Sequence, residues 1–123
     1  MRKSSRLRAL TVKYRALWSA IAWTWLAAVV VLSLGPSVTG PGALPTDKLY
    51  HALAYFGLQW LFGSLHRGGA RHVALAAAFI ALGIGLELLQ GMTAHRLADP
   101  WDAGANAAGV LVGLLVLRRF GSL

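Results

Sequence analysis

Residues 16–34, ALWSAIAWTWLAAVVVLSL, contain no charged side chain, and this run decides the class of fold. A helix rising ~1.5 Å per residue needs about 20 predominantly apolar residues to cross a hydrocarbon layer ~30 Å thick. The run has that length. Trp18, Trp23 and Trp25 gather toward its start, and GPSVTGPG at 35–42 ends it, because Gly and Pro do not continue a helix. A cleaved signal peptide is the competing reading of this N-terminus. Signal cores usually hold about 7 to 15 apolar residues, however, and PSVTG is a poor cleavage signal, so the segment reads as a retained membrane span.

Three further apolar runs follow at 47–65, 72–91 and 101–117. The second opens beside Pro45 and Thr46, a suitable helix start. HRGGAR at 66–71 is a glycine turn that folds the second and third runs into a helical hairpin. The composition agrees: 57% of the 123 residues are hydrophobic and 13% charged, which is too apolar for a water-soluble domain of this size. The expected fold is all-α, a bundle of four transmembrane helices in one domain at 16–117, flanked by basic segments at 1–15 and 118–123. No internal repeat or low-complexity linker suggests a second domain. Cysteine is absent, so no disulfide or thiolate metal site can form.

The net charge of +8 raises nucleic-acid binding, but the distribution of charge argues against it. Six cations, Arg2, Lys3, Arg6, Arg8, Lys13 and Arg15, precede the first span, and no basic surface interleaved with aromatics follows. Basic flanks remain in the cytoplasm. The N-terminus, the 66–71 turn (Arg67, Arg71) and the C-terminus (Arg118, Arg119) fall on one side of the threaded chain, and only Lys48 and Arg96 on the other. Both termini are therefore expected in the cytoplasm of a bacterial cell, with the protein multi-pass in the inner membrane and the lipid bilayer as its first partner.

In this threading all four carboxylates lie on the outer side. Asp47, His51 and Tyr55 are spaced by four and share one face of helix two, with Lys48 beside them. Glu87 and Gln90 share a face near the end of helix three. His95 and Arg96 lie in the outer loop, and Asp99, Asp102 and Asn106 open helix four. Gly109 and Gly113 extend the Asn106 stripe as a small-xxx-small pair, which lets another helix approach closely and turns the stripe into the bundle. A polar pocket at the outer interface is the expected result. A carboxylate inside a span costs about 2.5–3.5 kcal/mol on insertion scales, less near the ends, so Glu87 requires a partner. Arg96 or Lys48 is the expected one.

Ordinary helix chemistry explains part of this pattern. Asp99 suits an N-cap, Pro100 the first helical position, and Asp102 and Asp47 a first turn, where acid complements the helix dipole. It does not explain Glu87, Gln90 or Asn106, for which the plain alternative is interhelical hydrogen bonding. His66 and His72 read as interfacial residues beside the turn, and the Trp and Tyr side chains as interface anchors. No H-x-x-x-H, G-x-S-x-G or phosphate-loop pattern occurs.

Taken together, D-K-x-x-H-x-x-x-Y (47–55), E-x-x-Q (87–90) and R-x-x-D-x-x-D-x-x-x-N-x-x-G-x-x-x-G (96–113) resemble the VanZ-like family of small bacterial integral membrane proteins, over roughly residues 16–117. The chain departs from the usual pattern at Gly104, which is expected to loosen the start of helix four, and at Ala52, a position more often aromatic. The resemblance implies a four-helix membrane protein. The name-giving relatives are linked to low-level resistance to the glycopeptide teicoplanin, which makes drug susceptibility something to test here.

Three functional readings follow. In the first, the outer site acts on a lipid-linked precursor or phospholipid headgroup. Crowded carboxylates cannot all ionise cheaply, so Glu87 is the expected general acid or base, with Asp102 and His51 the other catalytic candidates. Asp47, Lys48, Tyr55, Gln90, Arg96, Asp99 and Asn106 are the substrate-binding candidates. Lys48 and Arg96 would hold an anion, and Asp99 and Asp102 would orient Glu87 or bind a divalent cation, the one candidate cofactor. In the second reading the pocket binds such a ligand without chemistry. Transport has less support, since there are no inverted repeats or broken helices. In the third the polar groups only hold the bundle together.

Overall fold

The computed structural model describes residues 2–35, 45–93 and 99–121. These form four α-helices: α1 (Arg2–Leu34), α2 (Pro45–Ser64), α3 (Gly69–Gly91) and α4 (Pro100–Phe120). The described residues contain no strand. The helix starts at 45, 69 and 100 lie within three residues of the expected runs. α1 differs more, because the basic segment 2–15 is not a separate region but continues the first helix. With no Gly or Pro between Arg2 and Leu34, nothing in the covalent chain stops the helix at residue 16.

Thr11–Leu34 of α1, the whole of α3 and the whole of α4 are long and apolar enough to cross a membrane. α2, whose side chains are described over 48–64, is not among them. It packs on all three other helices, most extensively on α4, whereas α1 and α4 make no contact with each other among the described residues. A helix enclosed by protein can carry Tyr55 (2% exposed) and Gln59 (0%) in mid-length, since neither meets lipid. The outward surfaces are apolar instead: Val31, Leu32, Leu88, Leu115 and Phe120 are all exposed. That is an unfavourable surface in water and a suitable one in lipid.

Two different contacts hold α2. Against α1 it runs antiparallel and in register: the Trp18 indole donates to the Leu61 carbonyl (3.2 Å) and the Trp25 indole to the Ala54 carbonyl (2.9 Å). Both pairs are seven residues apart on their own helix. These tryptophans therefore fasten helices together, and do not merely anchor an interface as expected. Trp25 also covers Gly57, where a Cβ would come within 2.7 Å of the indole. Against α4, α2 runs parallel and very close. A Cβ on Gly109 would overlap the backbone carbonyl of Ala52, and one on Gly113 would lie 2.9 Å from the Gln59 Cβ. The stripe read as small-xxx-small is the line of closest approach, and Ala52 sits against it. Gly104 does not interrupt α4.

The α2–α3 turn corrects the reading of His72. It is buried (5% exposed), and its Nε2 lies 2.9 Å from the Gly63 carbonyl and 2.8 Å from the His66 carbonyl, sharing one N–H between them. Gly68, at φ 101°, takes the left-handed backbone that the turn requires.

Candidate functional site

At the end of the bundle where α2 and α4 begin and α3 ends, polar side chains from all three helices meet. The site is organised by the start of α4. Asp99 is its N-cap: Oδ1 accepts from the Trp101 amide (2.9 Å), its carbonyl accepts from the Asp102 amide (3.0 Å), and Pro100 fills the first helical position, where no N–H is needed. The other carboxylate oxygen of Asp99 accepts from Lys48 Nζ at 2.6 Å, and the same ammonium makes a close ion pair with Asp102 Oδ1. Lys48 thus joins α2 to both acids of α4.

The network continues inward on both flanks. Asp102 Oδ2 lies 3.7 Å from His51 Nε2, and His51 Nδ1 is 3.0 Å from Asn106 Oδ1. Asn106 is 3% exposed and packs with Tyr55 around Gly83, where a Cβ would meet both side chains at 3.2–3.3 Å. On the other flank Glu87 Oε1 accepts from the Asp99 backbone amide at 2.5 Å. Of the two cations expected as its partner, Lys48 is engaged by Asp99 and Asp102 and Arg96 lies outside the described residues. Glu87 takes the N–H that an N-cap residue leaves open. Within a single helix a Glu at the third position performs that task in a capping box. Here that position is Asp102, which faces Lys48, and Glu87 serves the cap from α3.

Lys48, His51, Tyr55, Glu87, Asp99, Asp102 and Asn106 therefore lie in one connected region. Gln90 is directed elsewhere. It is buried (3% exposed) and its amide donates to the Ser33 carbonyl at 2.6 Å, tying the end of α3 to the end of α1. Asp47, by its side chain, and Arg96 lie outside the described residues, as does His95.

The lysine governs the electrostatics. Asp99, at the edge of the bundle, is held below the ordinary carboxylate range first by the Lys48 hydrogen bond and then by the Trp101 amide. His51 follows from geometry. Where Asn106 presents its carbonyl oxygen, the imidazole donates to it through Nδ1. Among the described residues no group of three His, Asp or Glu side chains is arranged to hold one metal ion. The described side chains form a polar cluster whose members engage one another.

Fold and site together define a small all-helical protein with membrane-spanning character and a polar cluster shared by three helices at one end. Comparison with known proteins finds no family model, no curated protein and no solved structure that matches the chain.

Proposed function

We propose that the chain is a VanZ-like integral membrane protein of the bacterial cytoplasmic membrane, with all four helices spanning and both termini cytoplasmic. In this reading the polar cluster lies at the outer face, where it binds or acts on the polar head of a cell-envelope lipid or lipid-linked molecule. The convergence of Lys48, His51, Glu87, Asp99, Asp102 and Asn106 from three helices carries the reading, since these residues are scattered over some sixty positions of the chain. A span for α2 is supported by its in-register pairing with the apolar part of α1. The orientation rests on the Lys and Arg bias. Chemically, the cluster offers an ammonium able to exchange a carboxylate for a phosphate, and an imidazole–carboxylate pair of the kind that relays protons.

A comparison of envelope lipids with and without the gene tests this directly. A lipid species gained or lost supports chemistry. Altered susceptibility to a glycopeptide with unchanged lipids supports binding alone. No difference in either overturns both.

One observation favours the second reading, a non-enzymatic scaffold whose polar residues stabilise the bundle: Glu87, Lys48 and Asp99 each hydrogen-bond to protein partners. Glu87→Gln separates the two. The amide oxygen still accepts from the Asp99 N–H, so a scaffold retains its abundance and its phenotype. A site that needs the acid loses the phenotype at normal abundance.

A further inference from the structure

At the opposite end of the bundle a hollow of about 430 Å³ opens between α1 and α2. Arg15, Ser19 and Trp23 line it from α1, with Ala16 beside them, and Phe62, Leu65 and His66 from α2. Arg15, Ser19 and Trp23 are spaced by four, so they form one stripe about 12 Å long at ~1.5 Å per residue. The stripe is graded. Arg15 and His66 make one end polar, and at the other Trp23 packs edge-on against Phe62 with ring centroids 5.3 Å apart. Trp23 nevertheless remains 61% exposed.

We propose that this groove seats an anionic phospholipid, its headgroup at Arg15 and the start of an acyl chain along Trp23 and Phe62. Arg15 is held in place, not free in solvent: one guanidinium nitrogen donates to the Leu65 carbonyl at 2.8 Å, where α2 ends. That bond uses one of five N–H donors and fixes the direction of the others, so little side-chain freedom remains to be lost on binding. Charge selects the occupant. Residues 1–46, 48–86 and 103–123 contain no Asp or Glu, while 1–15 alone contain six Lys and Arg. A zwitterionic headgroup finds no carboxylate here for its ammonium, whereas an anionic one meets only cations. The proposal rests on α1 and α2 crossing the bilayer and is independent of any ligand at the polar cluster.

The test uses the full chain reconstituted in phosphatidylcholine vesicles containing a minor fraction of brominated phosphatidylglycerol or brominated phosphatidylcholine. Bromine quenches nearby tryptophan, and Trp23→Phe gives the share of the signal due to Trp23. That share is expected to be quenched more strongly by the brominated phosphatidylglycerol. Arg15→Gln should lower the preference about fivefold, the effect of one surface cation on anionic lipid. Ala16→Leu fills the groove and leaves Arg15 in place, so it should lower the preference even if Arg15→Gln disturbs the end of α2. Equal quenching by the two lipids, or a preference that survives Ala16→Leu, overturns the proposal. Neither outcome bears on the polar cluster, which is read by the envelope-lipid comparison.

Discussion

Removing the lysine that joins α2 to α4 gives the sharpest measurement of the polar cluster. Lys48 contacts two carboxylates, but they are not equivalent. The Asp99 side chain is 40% exposed and the Asp102 side chain 13%. Solvent-exposed ion pairs contribute about 0.2–1 kcal/mol, because water screens them and two long side chains lose freedom. A hydrogen bond to a charged group in a drier setting contributes about 1.5–3 kcal/mol. Lys48→Met is therefore expected to destabilise the bundle by about 2–4 kcal/mol, most of it through Asp102. Double-mutant cycles divide the effect. Asp99→Asn and Asp102→Asn each remove a charge at constant shape, and Asn is as good an N-cap as Asp, so the Trp101 bond survives the first. Reversible unfolding of the purified protein in mixed micelles should give a Lys48–Asp102 coupling of about 1.5–3 kcal/mol and a Lys48–Asp99 coupling below about 1 kcal/mol. Two equal couplings, or a larger one to Asp99, would refute the inference from burial. A Lys48–Asp102 coupling near zero would refute the ion pair itself.

Four other measurements follow from the geometry. Gly109→Ala places a methyl group against the Ala52 carbonyl, a backbone atom that cannot rotate away, and should destabilise by about 1–3 kcal/mol, whereas Gly104→Ala, with no atom within 4 Å, should be neutral or stabilising in the same unfolding assay. Gln59 is fully buried, with Nε2 donating to the His72 carbonyl while Oε1 has no partner, so Gln59→Met should change stability by less than about 1 kcal/mol. His72→Ala removes the ring from the Gly63 and His66 carbonyls, of which Gly63 keeps the His66 amide, and should increase protease cleavage between residues 64 and 69. The fourth is a pH dependence. Asp99 is held below its ordinary value of 3.8, so its stabilising contribution is complete above that pH and is lost as the pH falls toward the lower folded value. Unfolding at pH 6 and pH 3 should therefore differ less in Asp99→Asn than in the parent, and the gap between the two proteins should shrink in a Lys48→Met background to the part that the Trp101 amide supplies.

The fold was legible where a single helix determines its own limits. Asp99 and Pro100 define the start of α4 through local bonds that the sequence displays, and the charge-free run at 16–34 declares its length. What was not legible depends on neighbours. α2 looks in sequence like one more span, but its place among all three other helices is a property of the assembled bundle. His72 has the sequence surroundings of an exposed turn. It is buried because two carbonyls, nine and six residues earlier, converge on its ring. The tryptophans did carry a usable signal, since Trp18 and Trp25 are seven apart and share a face of α1, a spacing suited to a partner helix.

The polar cluster divides along the same line. Spacing by three and four placed His51, Asp102 and Asn106 on facing stripes, and the glycines below them set the distance at which α2 and α4 meet. Spacing could not assign partners: nothing in it tells that Glu87 accepts from the Asp99 amide while Lys48 goes to Asp99 and Asp102. An N-cap leaves its own N–H open, and an acceptor from another helix can fill it while the single nearby ammonium goes to the acids of α4. The start of α4 is thus held by α3 through Glu87 and by α2 through Lys48, so any ligand that draws Lys48 away also loosens the clamp on that helix end. Binding at the cluster and order in the first turn of α4 should therefore be coupled: an anion that competes for Lys48 should speed hydrogen exchange at the Trp101 and Asp102 amides, and Lys48→Met should show that fast exchange with no anion present.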